Sequence, residues 1–348
     1  MPVRQRSIFA ILLMALSLVV PSLSAADDAE PVTLKVGYMP ILPVAPLFVM
    51  EGKGWTKDAG LNLELTRFSS GPAMVQALAS GELDVMNFGI GPAMVARAKG
   101  VPIKVIASSV REQIGLLARG DLADYFDQYA PAEAIARFTK EQGRKPKIAT
   151  FPSGSVPDTV LRYWLTKQIG VDTSAVDIVA MGASRVQQSL LAGAVDAAST
   201  LEPILTVVQQ RDPSARVIAR GSEMLPHQPG AVLAVRESVI SKHPEAIRKL
   251  VELHIRAAKL LNDSPEQAAP YVREFVGKRL IDLETVETAL ASPSSNYIAD
   301  PHAIQNATRV MAAFQAEQGT LKKAVDIDAL FDTSLYDAVM AKGSVAGQ

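Results

Sequence analysis

Four short stretches carry residue types able to do chemistry, and each follows an apolar run with the character of a strand. They are residues 39–43, with Met39, Pro40 and Ile41; residues 89–92, Gly89-Ile90-Gly91-Pro92; residues 152–155, with Ser153, Gly154 and Ser155; and residues 200–203, with Glu202 before Pro203. Glycine, proline and small residues at such places make tight turns that keep the backbone accessible. The second and third stretches open helical patterns. The first N–H groups of a helix lack intrahelical partners and, with the helix dipole, attract an anion. Ser153 and Ser155 add hydroxyl donors. Glu202 is the odd member: at a site it would take an amine, a hydroxyl or a bridging water, and otherwise it is a surface residue ahead of Pro203. This is binding chemistry.

Catalytic signatures do not occur in the sequence. The four histidines, His227, His243, His254 and His302, are scattered without a metal-binding spacing, and there is no cysteine to act as nucleophile, disulfide or metal ligand. G-x-S-x-G, the P-loop and G-x-G-x-x-G are all absent from it. A nucleophile turn at Ser153-Gly154-Ser155 would need a nearby base, which no local motif supplies. Asp84 and Asp196 occupy duplicate strand-terminal positions and are expected to cap or bind backbone locally. The expectation is a protein that binds without metal, cofactor or catalytic residue.

The elements that must position these stretches alternate. Residues 33–38 read as a strand, 45–51 as a short helix, 62–68 as a strand, and 71–80 as a helix stopped by Gly81. A buried strand at 83–88, a helix from Pro92 and a strand at 101–107 follow. The alternation restarts with strands at 147–151, 176–181 and 195–199, helices at 156–169 and 185–192, and return strands at 216–219 and 231–235. This is the pattern of a parallel or mixed α/β sheet. The segment Val75–Asp84 (VQALASGELD) aligns without gaps to Gln187–Asp196 (QQSLLAGAVD), so two similar α/β lobes are expected. A helical segment at about 120–143 interrupts the second, as surface elaboration or as a lid. Beyond residue 237 the pattern is helical, at 244–261, 265–276, 283–291 and 302–318.

At 348 residues, with 48% hydrophobic and 20% charged residues and a net charge of −1, the chain has a globular composition and no basic face for nucleic acid. Residues 1–26 read as a cleaved signal peptide: Arg4 and Arg6, an apolar run, then Ser24-Ala25-Ala26. A periplasmic protein is expected.

Residues 50–100 (MEGKGWTKDAGLNLELTRFSSGPAMVQALASGELDVMNFGIGPAMVARAKG) resemble the nitrate/sulfonate/taurine group of ABC-transporter substrate-binding proteins. The likeness lies in Gly54-Trp55, Gly60-Leu61, the helix ending ALASGELDV and the helix ending Ala98-Lys99-Gly100. SLLAGAVDA and Glu202-Pro203 continue it, with Leu201 where the group often has an aromatic. The resemblance implies a two-lobed periplasmic binding protein fold of type II, each lobe a mixed or parallel sheet flanked by helices. Residues 31–113 with 230–348 would form one lobe and 114–229 the other, with hinges at 111–117 and 225–233. His227 and Gln228, on a crossover, would face the cleft. The implied function is capture of a small anion, of the sulfonate, nitrate or taurine kind, for an ABC importer with its permease and ATPase, by a monomer. Two rivals share the outline. One is a ligand-binding sensor. The other is a secreted enzyme of the pyrimidine-precursor type, whose histidine- and cysteine-rich site this chain lacks.

Overall fold

Parallel strands must be joined by crossovers, and the chain supplies helices for them. The structure, a computed structural model, describes residues 1 and 30–346. The expected leader therefore lies outside the described residues, Met1 apart. The chain first lays down β1 (Val32–Tyr38), β2 (Leu61–Arg67), β3 (Val85–Gly89), β4 (Ile103–Ser108) and a short β5 (Val110–Arg111). It then crosses to β6 (Gly115–Ala118), β7 (Lys147–Thr150), β8 (Asp177–Ala180), β9 (Ala197–Thr200) and β10 (Arg216–Arg220). It returns with β11 (Ala231–Arg236), and β12 (Asn296–Tyr297) pairs with β5.

Two five-stranded mixed sheets result, ordered β2-β1-β3-β11-β4 and β10-β6-β9-β7-β8. In the first, β1 runs parallel to β2 and β3, and β11 inserts antiparallel between β3 and β4. In the second, β7 runs parallel to β8 and β9, β6 is antiparallel to β9, and β10 is antiparallel to β6. The central strands are buried on both faces, as in Val85, Met86, Asn87 and Phe88, because helices cover both sides. The mixed α/β architecture expected from the alternation is what forms.

The internal repeat has the same hydrogen bonds in both copies. Asp84 accepts the backbone N–H of Lys35 at 2.9 Å, and Asp196 that of Lys147 at 2.8 Å; each pair is 49 residues apart. The aspartate N–H groups donate back to the same lysines' carbonyls, at 2.8 and 2.9 Å. Gly81 and Gly193 both take left-handed backbone, with φ of 88° and 67°, and let each preceding helix end and turn into its strand. Neither aspartate joins a site; each pins a parallel strand pair at its start. Burial opposes ionisation of Asp196, but hydrogen bonds from Arg144 and the Lys147 N–H outweigh it and hold its carboxyl below the usual range.

Two elements differ from the sequence expectation, and a third was not read from the sequence. The helix expected at Pro92 begins at Ile90, because Gly89 passes from extended strand directly into helix without an intervening turn. The expected helix at 156–169 is α-helical over Val156–Tyr163 and then widens to a π-helix over Trp164–Gln168. A helix at Ile204–Arg211 follows β9, where Thr206, Val207 and Val208 give the sequence a strand-like character. The segment 120–143 folds as two helices, Gly120–Gln128 and Pro131–Gln142, and Arg216 of β10 ties the first of them through Asp124 and Asp127.

Contacts hold Pro31–Gln348 together as one compact unit. The helical C-terminal part bridges the sheets: Thr285 bonds Gln210 at 2.9 Å, and Lys167 pairs with Glu317 at 2.8 Å. The long helix Pro244–Asp263 lies on the first sheet and buries His254 completely. His254 Nε2 meets the Ser108 carbonyl at 2.7 Å, but burial dominates and pushes its pKa down to about 4. Between that value and the ordinary one of 6.5, the unfolded chain binds a proton that the native ring refuses. Stability is therefore intact above the unfolded pKa and lost as pH falls toward the folded one. The loss between neutral pH and about pH 5 is expected to be ~2 kcal/mol from this group. Urea unfolding of wild type and His254→Gln at both pH values checks this; equal pH dependence in the two proteins would contradict it.

Candidate functional site

One cavity lies between the two sheets, and every residue around it but two follows the carboxyl end of a parallel strand, where open α/β sheets bind ligands. After β1 come Met39 and Ile41, after β2 Ser69, Ser70, Gly71 and Pro72, and at the end of β3 Gly89 with Pro92. The second sheet contributes Phe151, Pro152, Ser155, Val156 and Pro157 after β7, Gly182 after β8, and Leu201 after β9. Gln113 and Ala231, on and beside the chain crossovers, complete it. The space is about 520 Å³, solvent at its mouth included. The repeat shapes this lining. Met39 and Phe151 are each the fourth residue after the lysine of a pinned pair, and Ser70 and Gly182 are each the N-cap of the helix that ends at a conserved stop of the repeat, Gly81 or Gly193.

Four helices point their N-termini here: Gly71–Ala79, Ile90–Ala98, Val156–Tyr163 and Ala183–Leu191. Their N-cap residues, Ser70, Gly89, Ser155 and Gly182, are all extended and all line the cavity. Among the described residues, no acidic, basic or histidine side chain lines it. Four partial positive charges thus meet without a carboxylate to neutralise them, and without a lysine or arginine to add a full charge. Such a place suits one negative charge. Asp158, in the first turn of the Val156 helix, does not spoil this. It is buried beside Arg162, which its carboxylate meets at 3.0 Å; burial raises its pKa, while Arg162 acts to lower it.

Five of the residues read from the sequence line the cavity: Met39, Ile41, Gly89, Pro92 and Ser155. The others lie elsewhere for identifiable reasons. Pro40 is half-buried outside the lining, and Ser153 is exposed on the outer side of its turn. Ile90 is wholly buried in the core, its N–H bonded to Gly230 O at 2.9 Å. Gly91 presses on Gly154, and Gly154 O accepts the Gln315 amide at 3.1 Å, so both serve a contact between the two sheets' helices.

Glu202 is neither a surface residue nor a cavity residue. It is 3% exposed and accepts the N–H and hydroxyl of Thr206, both at 3.0 Å. Burial raises its pKa, and the bonds from Ser292 and Thr206 pull the other way. His227 is exposed in left-handed backbone and gives its N–H to Glu112; Gln228 is buried and spends its amide on Ile114 N and Pro229 O. Sequence reasoning missed Ser69, Ser70 and Gly182. Their signal was present: Ser69-Ser70-Gly71-Pro72 and Gly182-Ala183 are further small-residue junctions between strand and helix. Gln113 left no such signal.

The His302–Glu317 helix docks on the Val156 helix. Gln315 reaches Gly154 O and Thr159 Oγ1, and Phe314 meets Tyr163 edge-on at 5.2 Å. Of the 120–143 segment, no residue lines the cavity.

With this geometry in hand, similarity to known proteins becomes informative. A family model described as the NMT1-like family matches residues 27–274. The bicarbonate-binding protein CmpA of Synechococcus sp. is 27% identical over 66% of this chain and 54% of its own length. The periplasmic nitrate-binding protein NrtA from Synechocystis PCC 6803 superposes with a TM-score of 0.74 at 15% identity, over 90% of this chain and 89% of that one. The alkanesulfonate-binding protein SsuA from Xanthomonas axonopodis pv. citri, bound to MOPS, gives 0.71 at 17% identity, over 88% and 100%. The last two likenesses carry the fold. They fall in the group that residues 50–100 resemble.

Two substitutions test the site. Any Cβ at Gly91 would collide with the Gly154 carbonyl oxygen, so Gly91→Ala is expected to hold the two sides apart and raise the radius of gyration in small-angle scattering. An unchanged radius would show that the close approach is dispensable. Ser155 caps its helix by accepting from Asp158 N–H, whereas the Ser70 side chain makes no cap bond. Ser155→Ala should therefore cost about 1 kcal/mol of stability and Ser70→Ala much less, as read by urea denaturation.

Proposed function

The chain belongs to the NMT1-like family, and from that premise we propose that it is the substrate-binding component of an ABC import system for a small monoanion. The observation that carries this reading is the convergence of four helix N-termini on a cavity lined by no charged side chain. Backbone N–H groups and the Ser69, Ser70 and Ser155 hydroxyls suit a negatively charged oxygen cluster. The lack of a lysine or arginine disfavours a second charge, since burying it without a counter-ion is costly. Bicarbonate, nitrate and alkanesulfonates, the ligands in the names of the three relatives, each carry one negative charge, which supports the reading.

In this reading each sheet is the base of one lobe. Residues 31–113 with 230–348 form the first, residues 114–229 the second, and the two crossovers between them act as the hinge. A ligand that touches both lobes favours the closed form by its differential affinity for it. The protein works as a monomer outside the cytoplasmic membrane, after export, and hands its ligand to a permease with an ATPase.

Thermal melting of the protein with nitrate, bicarbonate, methanesulfonate and sulfate tests the charge rule. A monoanion at about a hundred times its Kd should add ~2.7 kcal/mol and raise Tm by several degrees, while sulfate gives no rise. Stabilisation by sulfate alone, or by none of the monoanions, would overturn it.

A further inference from the structure

Both flanks of the His302–Glu317 helix are fastened to one strand of the first sheet, at or beside β4. Ahead of the helix, Ser108 N donates to Ala299 O at 3.0 Å and Ile298 N to Ser109 O at 3.2 Å. Behind it, Asp332 N donates to Val105 O at 2.9 Å and Lys104 Nζ to Ala329 O at 2.6 Å. Between these anchors the helix packs on Ile90–Ala98, which follows β3. Its last turns reach the other way, onto the Val156 helix that follows β7 of the second sheet.

Three contacts make that reach, and they differ in weight. The Lys167 and Glu317 side chains are 42% and 55% exposed, where an ion pair adds little. Phe314 meets Tyr163 edge-on. Gln315 is buried and spends its amide nitrogen twice, on Gly154 O at 3.1 Å and on Thr159 Oγ1 at 2.9 Å. A carbonyl only accepts, so the nitrogen must face it, and Oε1 is left without a partner. Thr159 passes its own hydroxyl hydrogen to Ser155 O at 2.8 Å, so the amide braces the turn on either side of a cavity residue. Thr320 N and Leu321 N hold the Gln315 carbonyl at 2.9 and 3.1 Å and fix its backbone. Gly91 of the first side meets the same spot: an added Cβ would stand 3.2 Å from Gln315 Nε2.

We propose that the His302–Glu317 helix is a clasp, fastened by Gln315, that holds the two lobes together in the absence of ligand. The inference rests on the two-lobe reading above, and not on which anion is bound. A helix anchored on both flanks to β4 moves with the first sheet, whereas Gly154 and Thr159 move with the second. Separating the lobes therefore exchanges both Gln315 hydrogen bonds for water. The other such bond from the C-terminal part, Thr285 to Gln210, lies just ahead of β12, which pairs with β5 at the outgoing crossover, and so stays with the hinge. The clasp sets the fraction of open form that can admit a ligand, and with it the apparent affinity.

The test is a distance between the lobes, read by pulsed electron paramagnetic resonance on the whole chain without added ligand. The sequence has no cysteine, so Lys99→Cys and Gln188→Cys, both at exposed positions, place one spin label on each side. With Gln315 present, one short distance should dominate. Gln315→Met, close in size and without donors, leaves Gly154 O and Thr159 unpaired only when the lobes are closed. It should raise the ratio of long to short distances about ten- to a hundredfold. Glu317→Gln should leave the ratio unchanged. Should Gln315→Met fail to fold, Thr159→Val removes the same partner and should shift the ratio in the same direction. A long distance that already dominates with Gln315 present would overturn the clasp. So would an unchanged ratio in Gln315→Met while Gly91→Ala lengthens the distance, an outcome that leaves the two lobes standing. If neither variant lengthens it, the sheets form one rigid body and the two-lobe reading fails with the clasp.

Discussion

Backbone N–H groups at the start of a helix must find acceptors, and this fold brings four sets of them to one place without providing a carboxylate there. That constraint organises the molecule. Each set stands at the carboxyl end of a parallel strand, because each helix directly follows its strand in the chain. Prolines at 72, 92 and 157 remove some donors from the first turns, and Ser155 or Gly230 O satisfies others. What is left faces a cavity walled by Met39, Ile41, Phe151 and Leu201. Apolar walls lower the local dielectric and strengthen the field of the remaining N–H groups. A negative charge is a natural partner for such a field.

The second organising feature is duplication. Lys35 with Asp84 and Lys147 with Asp196 form the same reciprocal backbone clamp on the same strand pair in each sheet. An aspartate there sets where β3 or β9 begins against its neighbour, and so sets where each strand ends. The cavity inherits that register: Met39 faces from one copy, Phe151 from the other. The copies diverge where they need to. Glu202, at the second copy's strand end, turns inward to bond Thr206, and Leu201 rather than a polar group looks into the space.

The third feature is how the halves are joined. The crossovers are short, tied to each other by hydrogen bonds and forced through left-handed backbone at two non-glycine residues, Glu112 and His227. Backbone of this kind persists where surroundings over-determine it. The C-terminal helices then span both sheets, through Gln315, Phe314 and Glu317 on one side and Thr285 on another. This is why contacts bind residues 31–348 into one unit although two separate sheets underlie it.

By itself the sequence determined the alternation of strands and helices, the duplication, and two of the four helix junctions, at Gly89 and Ser155, because these depend on local pattern: period, turn chemistry and glycine stops. It offered Glu202 and His227 as site residues, and the structure leaves both outside the lining. Only the tertiary structure decided which members of each turn face inward. Strand residues alternate sides, and one shift in where a helix begins, Ile90 instead of Pro92, turns an expected contact into core. Glu202, His227 and Gln228 looked available in sequence, but packing consumed Glu202 and Gln228, and His227 is exposed outside the lining. Gln113 looked ordinary, because its place depends on two crossovers more than a hundred residues apart that meet only in the folded chain. Local chemistry is written in neighbouring residues; a shared cavity is a property of distances that no neighbour encodes.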